Sequence, residues 1–289
     1  MLAKRLILIA AVLSLASVAC GVTINVPEVD LVTGPTITKD IIIESLETDE
    51  TTKVELNFAM GELILNPGAS ALVEGVATYN IQKLEPEVKT SDKGVSINTK
   101  ADNIPIEFTT IPNVENAKNR WDLQLGEDTM DLVIHSDVYE GDLELGGLAL
   151  ESLAISGGAA DLKVNFSEVN PVEMSAFTIE SGASDIELSG LANANFAYMS
   201  FDTGLGDFKL DFSGELQQDA VVNITAELSD LVIIVPEGTN VQLNLDAELA
   251  DIDTSGEWDQ SGNRYTMDGD GPTLIINVDI GIGDLSLRN

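Results

Sequence analysis

A small residue followed by an acid recurs along this chain. Apolar side chains stand eight and six residues behind the acid and one and three residues ahead of it. In "MSFDTGLGDFKLDF" the acid is Asp207, with Met199 and Phe201 behind and Phe208 and Leu210 ahead. The same frame fits Glu62, Asp161, Asp185, Asp230 and Asp284, and Asp251 fits with Thr254 in the last place. Asp142 joins with Leu143 and Leu145 ahead, behind an upstream strand two residues longer. The residue before the acid is Gly61, Gly141, Ala160, Ser184, Gly206, Ser229, Ala250 or Gly283.

Period-two alternation on both sides of a bend predicts two short strands per unit, each with one face inward. A unit of about 22 residues is too small to bury that face alone, so units must stack, at the ~4.8 Å spacing of paired strands. The small residue lets the backbone pass close to its neighbours and visit positive φ, where a larger side chain is costly. The fold expected is all-β: a stacked β-solenoid, parallel β-helix-like, with successive units laid in chain order. The step from Asp251 to Asp284 is longer because "SGEWDQSGNRYTMDGDGPT" is inserted there. A sandwich or barrel would show hairpin turns at shorter spacing.

The organisation expected along the chain is a signal peptide at 1–19, an anchor cysteine and spacer at 20–52, a less regular β-rich section at 53–131, and the repeating body at 132–289. In the irregular section, "ALVEGVATYNIQ" and "PEVKTSDKGVSINTK" are longer strands, the second a pair closed by a turn at Asp92, Lys93 and Gly94. No stretch of the mature chain sustains a capped helical period.

The start, "MLAKRLILIAAVLSLASVACG", has basic Lys4 and Arg5, then an apolar run too short for a comfortable membrane span, then small residues around Cys20, the only cysteine. It resembles a bacterial lipoprotein signal, the alternative being an ordinary cleaved signal with an incidental cysteine. Lipid on Cys20 would anchor the domain to a membrane surface without a spanning helix and would leave no disulfide. The formal charge is −35; loss of residues 1–19 removes two of the 14 basic residues and none of the 49 acids, giving 12 minus 49, or −37. Such a field excludes nucleic acid as a partner and favours cations and basic surfaces. It also keeps an extended β surface soluble.

The stretch "VELNFAMGELILNPGASALVEGVATYN", followed by "PEV" at 86–88, resembles the N-terminal part of the bacterial toast-rack domain. The later "RWDLQL", "GGLALESLAISGGAADLKVNF", "SGLANANF" and "DTGLGDFKLDFSGEL" are similar to its repeating body, and the resemblance spans about residues 34–289. It implies a relation to adhesin-like β-solenoids and to extracytoplasmic parts of envelope-stress regulators, with no catalytic residues to carry over.

Catalytic residue types are scarce. His135, in "VIHSDVY", is the only histidine, so a histidine-based nucleophilic site would centre on it and a multi-histidine zinc site is excluded. The lone "GLG" at 204–206 precedes no helix and is no dinucleotide fingerprint. Paired carboxylates could cleave sugars, but an active site needs one special pair, whereas these acids repeat in every unit; capping of turn amides explains them better. Calcium is the one cofactor considered, through Asp268 and Asp270 in "DGDG", which lack the remaining ligands of an EF-hand loop. Trp258, Arg264 and Tyr265 in the insertion form the candidate recognition loop, unless they instead cover the last coil.

The function expected is a non-enzymatic, extracytoplasmic lipoprotein, an interaction or adhesin-like scaffold meeting an envelope protein or cell-wall component, with a link to envelope stress implied by the resemblance. A carbohydrate-active β-helix enzyme and a calcium-stabilised adhesion module are the alternatives.

Overall fold

The computed structural model describes residues 33–47, 50–100 and 116–289. The signal segment 1–19, Cys20 and the spacer up to residue 32 lie outside the described residues. In chain order the strands are β1 (Ile37–Ile43), β2 (Thr52–Pro67), β3 (Val73–Tyr79), β4 (Pro86–Ser91), β5 (Gly94–Thr99), β6 (Asn119–Leu125), β7 (Met130–Glu144) and β8 (Leu150–Asn165). They continue with β9 (Ala176–Ser189), β10 (Tyr198–Asp211), β11 (Ala220–Ile234), β12 (Asn240–Thr254), β13 (Asp259–Ser261), β14 (Arg264–Met267) and β15 (Thr273–Arg288). The only helical turns among the described residues are Gln82–Leu84 and Leu191–Ala194.

The fold is all-β, a stacked β-solenoid. Its spine is the parallel series β2, β7, β8, β9, β10, β11, β15 and β12. Each rung is one long strand that folds over a corner rather than two separate short ones. The burial pattern marks the corner. Along β7 and β11 buried and exposed residues alternate until two successive residues face outward, Asp137 and Val138 in one, Glu227 and Leu228 in the other; the alternation then resumes in opposite phase. Apolar residues on both legs thereby reach the same interior.

Segments returning from one rung to the next close the coil and contribute Phe166, Met174, Leu191, Phe196, Phe212 and Val235 to the core. Aromatic rings meet edge to face across rungs, Phe166 with Phe177 at 5.8 Å and Phe177 with Phe196 at 6.3 Å; within one rung Phe201 meets Phe208 across the corner at 5.3 Å. Buried Asn170 satisfies backbone groups of two neighbouring coils, donating to the carbonyl oxygens of Leu150 (2.8 Å) and Ala194 (3.2 Å) and accepting from the Leu150 amide (3.2 Å).

Both ends of the stack depart from the simple repeat. At the leading end β2 is covered in two halves: β5 pairs in parallel with its first leg and carries the β4–β5 hairpin, turned at Asp92 and Lys93 as expected, while β6 pairs with its second leg and continues antiparallel into β3 and β1. Residues 37–43, expected in the spacer, therefore form a strand, because Ile41 and Ile43 bury themselves on β3. At the far end the expected chain-order stacking fails. β15 enters between β11 and β12 and pairs in parallel with both. The insertion folds as the β13–β14 hairpin, and β14 runs antiparallel along the first leg of β12.

Candidate interaction surface

The register aligns one acid per rung just past the corner: Glu62 with Glu140, Glu140 with Asp161, then Asp185, Asp207, Asp230, Asp284 and finally Asp251. The row corrects one sequence expectation. Asp142 pairs with Ile64 and Lys163, two residues beyond the row, and the β7 member is Glu140. The cause is an exchange of sizes inside the core. Tyr139 occupies the place held by Gly61 and Ala160 on the neighbouring rungs, and Gly141 the place held by Leu63 and Leu162. The buried Tyr139 ring lies over Gly141, where an added Cβ would meet Tyr139 Cε2 at 2.8 Å and Leu162 Cδ1 at 2.7 Å.

The small residue before the acid does reach positive φ at Gly61, Gly206 and Gly283. A Cβ on Gly206 would lie 1.7 Å from the Ser184 carbonyl oxygen, so the close backbone approach expected from the sequence is present. Capping by the acids is narrower than expected. Asp185 Oδ1 accepts the Asp207 amide of the next rung at 3.3 Å, and Glu62 pairs with Arg120, whose guanidinium pKa that hydrogen bond raises; the remaining row acids stand in solvent.

Beside the acids, two residues earlier in each rung, runs a second outward row: Met60, Val138, Ala159, Ala183, Leu205 and Leu228, continued by Ile282 and Leu249. Val138, Leu205, Leu228, Ile282 and Leu249 are 45–66% exposed, and they make up half of the exposed large apolar residues among those described. Ala159 and Ala183 leave a dip of about 400 Å³ between Val138 and Leu205. Two positions past the acids, Lys209 pairs with Glu187 at 2.7 Å, and that hydrogen bond holds the Glu187 carboxyl below its ordinary range.

The first legs of β11, β15 and β12 carry a polar ladder. Asn244 Nδ2 donates to Asn277 Oδ1 (2.9 Å), Asn277 Nδ2 to Asn223 Oδ1 (2.9 Å), and Asn223 Nδ2 to the Tyr198 hydroxyl (2.9 Å). Asp246, Asp279 and Arg264 border the ladder in a groove of about 730 Å³, walled by Ser261 and Asn263 of the hairpin. Arg264 is thus the one member of the expected recognition loop that faces solvent. Tyr265 sits opposite Leu243 in the antiparallel pair and is buried, its hydroxyl 2.9 Å from Gln260 Nε2, and Trp258 packs partly against the core; both cover the end of the stack.

His135 lies exposed on the outer face, its Nδ1 2.9 Å from Ser156 Oγ of the next rung. Asp268 and Asp270 are exposed between β14 and β15, and among the described residues no group of three histidine, cysteine or acidic side chains could hold a metal ion. No helix among the described residues is long and apolar enough to cross a membrane. The exposed apolar row escaped the sequence reading; its signal was the apolar residue two places before each acid.

The family model described as the N-terminal domain of toast_rack, DUF2154, matches residues 32–188. A candidate cell adhesion protein from Clostridium sporogenes shares 19% identity, covering 88% of this chain and 99% of that one, with a TM-score of 0.46. A candidate adhesin from Bacteroides fragilis (11% identity, 90% and 99% coverage, TM-score 0.36) and a candidate lipid-binding protein from Parabacteroides distasonis (10%, 91% and 99%, TM-score 0.32) are also similar. None of the curated proteins compared matches the chain. The model match spans more than half of the sequence, and the chain belongs to the toast_rack N-terminal domain (DUF2154) family.

Proposed function

We propose that the protein is a non-enzymatic, adhesin-like scaffold, held at the bacterial envelope through lipid on Cys20 and presenting its solenoid corner to an envelope protein or cell-wall component. The observation that carries this reading is the corner itself. Its acids and apolar side chains recur one per rung along an exposed line. Catalysis concentrates a few unlike groups at one point; a repeated line of like groups suits extended contact with another surface. The stack supplies rigidity through backbone pairing and a continuous core, so the rows keep their spacing without a ligand.

The tether is tested by fractionating cells that express the native chain or Cys20→Ala. The native protein should sediment with membranes through high-salt washing and be released by detergent, and Cys20→Ala should appear in the soluble fraction. Membrane retention of Cys20→Ala would reject the lipid anchor. Surface presentation is tested with beads carrying the Cys20→Ala chain, which should retain labelled envelope fragments; equal retention by heat-denatured chain would reject a role for the ordered surface.

A further inference from the structure

From the corner geometry we infer that the surface from β7 to β12 is a docking track for a basic amphipathic α-helix laid along the solenoid axis. This deepens the scaffold reading by naming a class of partner, and it stands on the corner rows alone.

The track has three parallel lines. Val138, Leu205, Leu228, Ile282 and Leu249 form the apolar centre, all 45% exposed or more. On one side lies the acid row, from Glu140 through Asp185 and Asp207 to Asp251, and none of these β7-to-β12 acids takes part in an ion pair among the described residues. On the other side each rung except β8 carries a further exposed acid one or three residues before the apolar position: Asp137, Glu180, Asp202, Glu227, Asp279 and Asp246, with Glu248 beside the last. A narrow apolar stripe between two anionic margins is the complement of a helix with one apolar stripe flanked by lysine and arginine.

Spacing selects the helix over other occupants. Rungs repeat at ~4.8 Å, and a helical turn advances ~5.4 Å, so apolar residues three and four apart stay within one side-chain width of successive rungs. An extended strand repeats its side chains every ~6.7 Å on one face and loses register after two rungs. Six steps from β7 to β12 cover ~29 Å, the length of a helix of ~19 residues. The dip of about 400 Å³ at Ala159 and Ala183 accepts one large apolar side chain near the β8–β9 end. A second copy of the chain would bring acid rows against acid rows, and an anionic lipid surface would meet the same repulsion.

The test is fluorescence anisotropy of the Cys20→Ala chain with a labelled 19-residue peptide of lysine and leucine, its leucines at helical spacing, against a scrambled peptide of identical composition. At ~0.15 M salt, where general attraction to an acidic protein is screened, the patterned peptide should bind at least ~10-fold more tightly than the scramble. The exposed double variant Leu205→Asp with Leu228→Asp should remove that advantage, and Asp185→Asn with Asp207→Asn and Asp230→Asn should weaken binding and flatten its salt dependence. Tyr198→Asp, exposed but off the track, should change neither. Circular dichroism of each variant reports the fold, and the two sets of variants fail independently. Equal binding of patterned and scrambled peptides overturns the proposal, as does unchanged affinity in the leucine variant. Competition by phosphatidylcholine vesicles would assign the stripe to lipid, and a dimer that blocks the peptide would assign it to a second copy; either overturns it. Any of these results leaves the Cys20 tether standing, because fractionation reads the tether separately.

Discussion

The exchange of sizes between Tyr139 and Gly141 makes a quantitative prediction about packing in the β7 rung. Tyr139 fills space that Leu63 and Leu162 fill from two residues further along the adjoining rungs, and its hydroxyl is buried without a hydrogen-bond partner among the described residues. Tyr139→Ala removes a large buried ring, a loss of about 3–5 kcal/mol for comparable aromatic truncations. Relief of the unpartnered hydroxyl returns about 1 kcal/mol or more, for a net loss of about 2–4 kcal/mol. Gly141→Leu alone inserts a side chain whose first atom would lie 2.8 Å from the Tyr139 ring and 2.7 Å from Leu162, overpacking by about 1–3 kcal/mol. Combined, the two changes recreate the alanine and leucine that β8 carries at Ala160 and Leu162, and Gly141 does not sit at positive φ, so leucine is tolerated there. The double variant should come within about 1 kcal/mol of the native chain. The singles together sum to about 3–7 kcal/mol, so the coupling should be at least about 2 kcal/mol, as expected for residues in direct contact. Urea unfolding of the four chains measures it. A double variant as unstable as the sum of the singles would refute the account of one shared space.

Gly206→Ala should cost about 3 kcal/mol or more, because φ is 143° and the new Cβ would lie 1.7 Å from the Ser184 carbonyl oxygen. Ala160→Gly at the equivalent place on β8 should cost no more than about 1 kcal/mol in the same urea titration. Glu144 accepts from the amides of Gly146 (2.8 Å) and Ser167 (3.2 Å) and from Asn165 Nδ2 (2.5 Å); burial alone would raise its pKa, but these hydrogen bonds outweigh it and hold the carboxyl below its ordinary 4.5. A depressed folded-state pKa means stability present above the ordinary value and lost as pH falls through the lower one, so Glu144→Gln should cost about 1–3 kcal/mol at neutral pH and reduce the acid-side slope of stability against pH. An unchanged slope would count against the capping role.

The repeated frame of apolar pairs around a small residue and an acid is enough to read a corner in each unit and the stacking of units, though not the order of the last rungs, since period-two alternation leaves few ways to bury those side chains. Where it misled, the physics is specific. In sequence Asp142 fits the place of the β7 corner acid because Tyr139 and Gly141 exchange roles, and a sequence records each residue's size without showing which of two neighbours fills a shared space. The exposed row was hidden for a related reason. The phase of alternation must flip somewhere between the upstream apolar pair and the acid, and a flip at the acid would have put Leu205 and Leu228 inside. In the structure the flip falls two residues earlier, at Gly204–Leu205 and Glu227–Leu228, and leaves them outside. Tyr265 and Trp258 were ambiguous between recognition and covering, because an aromatic residue in a polar insertion serves either use; pairing with Leu243 decided Tyr265.

The strand order at the far end follows from what the two candidate terminal rungs carry. A strand in the last position leaves a row of backbone donors and acceptors open to pairing with another chain, and acidic side chains discourage that pairing. The corner half of β12 carries Asp246, Glu248, Asp251 and Asp253, all exposed, whereas β15 reads "TLIINVDIGIGDLSLR" and buries Leu274, Ile276, Val278, Ile280, Leu285 and Leu287. Were the chain stacked in sequence order, the more apolar strand would hold the edge and the acidic one would be enclosed between neighbours, with its carboxylates closer to those of β11. Inserting β15 between β11 and β12 reverses this. The apolar strand gains partners on both edges, and the acidic strand takes the open one, where only its first leg is covered, by β14. The same arrangement sets Ile282 between Leu228 and Leu249 in the exposed row, so the placement that blunts the edge also completes the apolar line of the corner.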